Sequence, residues 1–479
     1  MKDKTILSKN DNKALKAGIW YTISSVTVKA ITILTTPIFT RMMTTSDYGL
    51  ATTFTSWYSL LMIFCSLNLT YSIGRAKLDF PGKLDEYVGS MQCLSFFTTV
   101  AICVVAIPFV KPLASFMEIN APLMFILMVY LLFHPAINFT QSKYRYSYHY
   151  KGNIGITAYT TITSIVVTFG LMLIFKEERY YAKVLGSVIP AVVLSLIFWG
   201  ASLKKHAVRV NRVYWKYGLS ISLPLILHSI SLNILSQSDR IMITKFCGTG
   251  STGIYSLAYS YAILINIVLS AVNEAWLPWF HDSFFAGNYA AIKKNVKPLV
   301  RLGCMLGIGC IAIAPEAMLI LGPSEYKIGQ WAVAPVTVGV VCQFIYQQYV
   351  HIELHEKKTR FISLGTVIAA GLNVVLNFIF IPKYGFVAAA YTTLFCYFVL
   401  MFVHLYITRI VLKVHLYDDS YMFLALGVIA FISVMFMSIY HLLLIRYVIL
   451  IIICMIYLIT NRQMLMNYIN KRIEKKKQV

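Results

Sequence analysis

The chain has 479 residues, of which 58% are hydrophobic and 13% charged, with a formal net charge of +23. Soluble domains carry about 25% charged residues, so a soluble globule of this length is excluded. Apolar stretches of about 18 residues or more recur throughout, each able to cross about 30 Å of hydrocarbon, which also excludes the short alternating segments of a β-barrel.

Fourteen helical spans are predicted in chain order. They cover 16–40, 49–70, 88–110, 121–140, 154–175, 181–201 and 218–243, then 252–276, 298–321, 330–351, 361–381, 386–408, 421–440 and 443–461. The fold class is therefore an all-α polytopic membrane protein. The first stretch is too long for a signal-peptide core and has no small-residue cleavage site at its end. A tight turn near His441 separates the last two spans. With both ends inside, Lys and Arg favour inner segments by roughly three to one, which sets the N- and C-termini in the cytoplasm. The basic tail "NKRIEKKKQV" fits the same pattern. The positive charge thus reports topology and attraction to anionic lipid, not nucleic acid. The cysteines fall mostly in apolar spans with no C-x-x-C pair, and read as small hydrophobes rather than disulfides or metal ligands. No loop is long enough for a soluble domain, which argues against an enzyme.

A weak repeat runs through the chain. "LKAGIWYTIS" opens span 1 and "WKYGLSISLP" opens span 7; Arg41 and Arg240 then precede "SDYGL" and "STGIYSL". "LIFKEERYYAKVLG" and "FIFIPKYGFVAAAY" repeat at the same offset of about 200 residues, an even number of spans, which is a parallel repeat about an axis along the membrane normal. The expected organisation is a six-helix lobe over 1–205, a second over 206–412, and an extra helix pair with the tail over 413–479. A site is expected where the two lobes meet.

Ionisable groups inside spans usually face a cavity or a partner. Lys29, Arg41 and Arg240 make a central cavity positive if they face it, with Arg75 at the inner end of span 2. Snorkelling for Lys29, interfacial anchoring for Arg41 and a structural ion pair for Asp239–Arg240 are the plainer readings. Helix neighbours point about 100° apart, so Asp239 and Arg240 each pair elsewhere. Asp239, Glu274, His134 and His228 are the candidates for carrying a proton or sodium, and nothing in the sequence selects among them. Glu316 and Glu353 are the other carboxylates in or beside spans. Hydroxyls and amides crowd "TISSVTVKAITILTTP" and "SISLPLILHSISLNILSQSDR", with Pro37 and Pro224 able to loosen those helices. Asn373 and Asn377 share a face at i, i+4, as cavity lining or as interhelical glue. Asp47 with Gly49 reads as a turn into span 2.

Three motifs are set aside. "GTGSTG" matches a dinucleotide fingerprint but lacks a βαβ setting and is placed in an outer loop. "HIELHE" has its glutamate one place late for a zinc protease, so Glu353 leaves the face shared by His351 and His355. "KYRYSYHYK" reads as an aromatic–basic interface belt.

The stretches "KAGIWYTISSVTVKAITILTTPIFTRMMTTSDYGL", "SQSDRIMITKFCGTGSTGIYSLAYSYA" and "NEAWLPWF" resemble the polysaccharide flippases, which move O-antigen or capsule repeat units, of the multidrug, oligosaccharidyl-lipid and polysaccharide exporter superfamily. The resemblance covers about residues 14–410 and implies two six-helix lobes working by alternating access. It also implies an undecaprenyl-pyrophosphate-linked oligosaccharide as substrate, carried to the outer leaflet of a bacterial cytoplasmic membrane. The extra pair resembles that of fourteen-span members, where it helps a lipid tail. On this reading Lys29, Arg41, Arg75 and Arg240 hold the anionic headgroup, with membrane lipid and a proton or sodium as further partners and no cofactor. The alternatives are a multidrug or other small-molecule antiporter of the superfamily, whose cavity for cations should be acidic, and a membrane polysaccharide polymerase, which should show a long catalytic outer loop.

Overall fold

Backbone groups in hydrocarbon find no water, so each span must satisfy its own N–H and C=O groups, which a helix does. A computed structural model of the chain describes residues 26–204 and 210–460 with Trp20, Ile23, Ser24 and Arg462, and none of these lies in a strand. The helices are α1 (26–42), α2 (Thr45–Ser66), α3 (Ile73–Asp79), α4 (Leu84–Ala106), α5 (Val110–Phe116), α6 (Ala121–Phe133), α7 (Pro135–Tyr146), α8 (Tyr150–Ile174) and α9 (Tyr180–Lys204). There follow α10 (Arg212–Ala262), α11 (Ile265–Phe285), α12 (Tyr289–Ala312), α13 (Ala314–Leu321), α14 (Gln330–His355), α15 (Thr359–Tyr384), α16 (Phe386–Tyr406), α17 (Asp419–Ser438) and α18 (Leu443–Thr460). Among the described residues eleven helical stretches are long and apolar enough to cross a membrane, or twelve if α2 and the segment Leu69–Asp79, bent by 53°, form one span. Arg212–Phe285 enters that count once but contains two of the spans read from the sequence, and the span read over 16–40 begins outside the described residues. The protein is a multi-pass membrane protein.

The span read over 121–140 runs on as one stretch, Ala121–Tyr146, with its helical hydrogen bonding interrupted at a proline. Pro135 has no N–H to give and opens α7, directly after His134 closes α6. The turn near His441 is present, with α17 and α18 separated by four residues, 439–442.

Two compact units divide the chain. The first takes the described residues of Met1–Leu257, Leu319–Ile328 and Thr359–Cys396; the second takes those of Ala258–Met318, Gly329–Lys358 and Tyr397–Val479.

In the first unit, α2 begins with a capping box. The Thr44 hydroxyl oxygen accepts from Asp47 N–H at 3.0 Å, and the Asp47 carboxylate accepts from Thr44 N–H at 3.3 Å. Asp47 thus starts the helix, as the sequence suggests. One turn on, Gly49 lies against α10: a Cβ there would sit 1.7 Å from the Thr249 carbonyl oxygen. Reciprocally, a Cβ on Gly253 would sit 2.1 Å from the Thr45 carbonyl oxygen. The glycines of "SDYGL" and "STGIYSL" therefore meet backbone to backbone. Hydroxyls lock the crossing: Thr53 to Thr244 at 2.6 Å, Thr52 to Ser256 at 3.2 Å, and Ser56 to the Gln237 side-chain oxygen at 3.0 Å. Beside it α10 breaks at Gly248, whose φ of 83° and ψ of 166° only glycine takes readily. Phe54, Leu123, Leu127 and Leu131 fill the space between α2, α6 and α9. In lipid such packing stabilises through dispersion rather than through removal from water.

In the second unit, α14 is covered on nearly every face and packs against α11, α12 and α17. Arg409 grips Asp419 with two bonds of 2.7 Å, and the Tyr349 hydroxyl donates to the same carboxylate at 2.9 Å. Lys297 reaches Asp418, the N-cap of α17, at 2.8 Å. Arg446 of α18 is 1% exposed and donates to Glu316 and, at 3.1 Å, to the Tyr440 carbonyl.

Two outcomes are expected. Gly49→Val should lower stability by about 1–3 kcal/mol through overpacking, whereas Gly371→Ala, with open space around it, should be neutral or slightly stabilising; thermal unfolding of the detergent-purified protein compares them. The hydrogen bond from Lys297, helped by the Tyr421 N–H, holds the Asp418 carboxyl below the usual carboxylate range. The contribution of a depressed carboxyl is present above its unfolded value of about 3.9 and fades as pH falls through the folded one. The gap in Tm between wild type and Lys297→Met should therefore close as pH drops from 7 to below about 4.

Candidate functional site

Successive residues on α10 send Asp239 and Arg240 in different directions. Asp239 is 1% exposed, and among the described residues neutral donors bond its carboxylate. One oxygen accepts from the Tyr255 hydroxyl at 2.6 Å and the Thr393 hydroxyl at 2.8 Å; the other accepts from the Asn377 amide at 2.7 Å. Asn377 accepts from the Thr392 hydroxyl, and Asn373 donates to Thr393 at 3.1 Å while accepting from Ser238 at 2.7 Å. The i, i+4 asparagines of α15 thus join α10 to α16. A buried carboxylate held by hydroxyls and amides accommodates a proton, or a hard cation among its oxygens, without a salt-bridge partner to displace.

Arg240 donates to the Ser236 carbonyl at 2.7 Å and to the Gln237 side chain at 3.4 Å. Arg41 donates to the carbonyls of Pro37 at 3.1 Å, Ile320 at 3.0 Å and Leu319 at 3.3 Å. The last two end a helix and have no partner within it, so Arg41 clamps a helix terminus. Arg75 pairs with Asp79 at 3.1 Å with its side chain 67% exposed, and Asp79 also accepts from the Tyr217 hydroxyl. Lys29 is exposed on α1. His228 pairs with the Thr366 hydroxyl at 2.9 Å, and His134 with the Tyr58 hydroxyl at 2.6 Å. Glu274 lies in the second unit, exposed on α11.

A polar cavity of about 370 Å³ lies within the first unit between α1, α8 and α9, with His134 and Gln141 also on its wall. Its lysine, Lys183, is absent from the candidates drawn from the sequence. Scanning spans for charges reaches it, because it sits two residues inside the span read over 181–201. Tyr255 and Thr393 carry no such signal, since hydroxyls are common along these helices.

The set-aside motifs resolve locally. "GTGSTG" straddles Gly248, where the chain folds back between the helix of span 7 and that of span 8, so it lies at the tight connection between those spans. Within "HIELHE", His351 pairs with Asn273 at 2.8 Å and His355 with His281 at 3.1 Å, while Glu353 takes the fully buried His404 at 2.7 Å. These are three different partners and not a shared metal. In "KYRYSYHYK", Lys143 reaches Asp85 at 3.2 Å.

The family model described as "Polysaccharide biosynthesis protein" matches residues 14–284. The chain belongs to that family. A relative in Haemophilus influenzae, Lsg locus protein 1, is 22% identical over 338 residues, spanning 70% of this chain and 80% of its own length. Among solved structures, the lipid II flippase MurJ in an inward closed conformation superposes with a TM-score of 0.71 at 14% identity, covering 93% of this chain and all of that one. An inward-facing multidrug resistance MATE transporter superposes at 0.56, also 14% identical, covering 81% and 98%. The polysaccharide biosynthesis family member thus has the helical fold shared by these two transporters.

Asp239→Ala should leave the donors of Tyr255, Asn377 and Thr393 without their acceptor, at about 1–3 kcal/mol for each one stranded. Asp239→Asn keeps one carbonyl oxygen and should lose less. Melting of the two purified variants beside wild type gives the order.

Proposed function

We propose that this protein is a flippase. It moves an undecaprenyl-pyrophosphate-linked oligosaccharide from the inner to the outer leaflet of the bacterial cytoplasmic membrane for surface polysaccharide assembly. The observation that carries this reading is membership of a polysaccharide biosynthesis family in a chain built of membrane-crossing helices. The likeness to MurJ, a lipid II flippase, supports it.

The chemistry agrees. Each stranded polar group of a sugar headgroup costs several kcal/mol in hydrocarbon, so an unaided flip is slow. A wet path through the protein replaces water for the headgroup while the polyprenyl tail stays in lipid. Two lobes alternate access to that path. Lys29, Arg41, Arg75 and Arg240 receive the pyrophosphate and its neighbours; a guanidinium has five donors, so the bonds that hold Arg41 leave others for a phosphate oxygen. Asp239 carries the coupling proton or sodium. Moving about two negative charges outward down an inside-negative potential releases roughly 4–5 kcal/mol per 100 mV. The protein performs no covalent chemistry, and both termini are cytoplasmic.

Deletion in its own host should make radiolabelled lipid-linked sugar accumulate on the inner leaflet and remove the surface polymer. Polymer of altered length with normal translocation would replace the flippase by a polymerase. Arg41→Ala and Arg240→Ala each remove charge-assisted bonds of about 1.5–3 kcal/mol and should cut export roughly 10- to 100-fold at matched membrane levels. Wild-type export in both would remove them from the site.

A further inference from the structure

The cavity in the first unit holds one uncompensated cation. Among the described residues no carboxylate lines it. Lys183, half-buried on α9, places its ammonium 4.2 Å from the centre of the Phe39 ring. Among the described residues it has no hydrogen-bond or ion-pair partner. A charge at membrane depth is expensive, and a cation–π contact returns only about 0.5–2 kcal/mol. The geometry leaves the ammonium available to an anion entering the cavity.

The wall narrows which anion. Thr32, Thr35 and Thr160 each spend their hydroxyl proton on a carbonyl of their own helix at 3.0 Å. What remains of them is oxygen lone pairs. Thr161 and Ser164 add hydroxyls with no bond to any described residue. Beside one cation the wall thus sets three committed hydroxyls that only accept and two free ones that accept or donate. A pyrophosphate, with two charges and no donors, meets those lone pairs unfavourably. A ring with several hydroxyls and one carboxylate donates to the wall and gives its charge to Lys183. The volume, at the low end of the ~300–1,000 Å³ usual for ligand pockets, suits one or two rings rather than a whole repeat unit.

We propose that this cavity is a subsite for a carboxylate-bearing sugar of the uronic acid type, with Lys183 holding the carboxylate. The inference rests on the flippase reading for its biological setting, since the sugar then belongs to the transported headgroup. It concerns a place distinct from the arginines assigned to the pyrophosphate.

The test uses the detergent-purified full chain and soluble probes: D-glucuronate, D-glucose and inorganic pyrophosphate, followed by saturation-transfer NMR. Glucuronate should receive transfer and glucose far less. Lys183→Met should weaken glucuronate at least about tenfold and Lys183→Arg much less, as expected for a lost charge-assisted bond. Should Lys183→Met fail to fold, Thr161→Val with Ser164→Ala should weaken glucuronate severalfold by removing wall hydroxyls. Absence of transfer in wild type, equal transfer in these variants, or displacement of glucuronate by equimolar pyrophosphate would each overturn the assignment, the last pointing to the phosphate linker. Soluble-sugar binding requires no transport. Lys183-dependent binding in a protein that flips no lipid-linked sugar would therefore refute the flippase reading alone, and flipping without that binding would refute the subsite alone.

Discussion

Two helix backbones touch at Gly49 and Gly253, and much of the first unit is arranged around that contact. No side chain separates α2 from the far part of α10 there, so hydroxyls a turn or two away come within hydrogen-bonding reach. In lipid, where apolar surface gives no net drive to associate, close backbone approach and interhelical hydrogen bonds supply the attraction. The break at Gly248 belongs to the same arrangement. It turns α10 so that Tyr255, beyond the break, bonds Asp239, before it. The contact between helices and the pocket around the carboxylate are thus set by one short run of sequence.

Polar groups within this membrane protein fall into two kinds. Those around Asp239 are mutually satisfied, donor to acceptor, across α10, α15 and α16. Those around Lys183 are not, because the threonines beside it face inward with their protons already committed to their own helices. The first kind holds helices together. The second is a cavity whose chemistry is complete only when a ligand supplies the anion and the donors.

The fold was legible because its cause is coarse. Runs of apolar residues separated by basic segments need no packing detail to be read as helices in a membrane. The runs "SDYGL" and "STGIYSL", aligned in the sequence at an offset of about 200 residues, carry Gly49 and Gly253, the pair that meets. Pro135 interrupts the hydrogen bonding of one span without ending it. Site chemistry was less legible. Asp239 stood out as a charge inside a span, but its partners have an ordinary appearance: Tyr255 lies across the break at Gly248, and Asn377 and Thr393 come from helices more than a hundred residues away. Arg41 also stood out, and its surroundings are carbonyls at the end of a helix, which sequence distance conceals.

Arg446 has a consequence for biogenesis. Its helix, α18, is otherwise almost entirely apolar and left uncovered, so lipid accepts it in any rotation but one residue does not. Arg446 stands in the first turn of α18, so its insertion costs less than the about 2.5–3.5 kcal/mol of an arginine at a helix centre, and the leucines and isoleucines that follow offset it. Once inserted, only the azimuth that turns Arg446 toward Glu316 and the Tyr440 carbonyl relieves the charge. Glu316 leaves the ribosome first. The carboxylate is thus synthesised before the arginine of α18 that it holds.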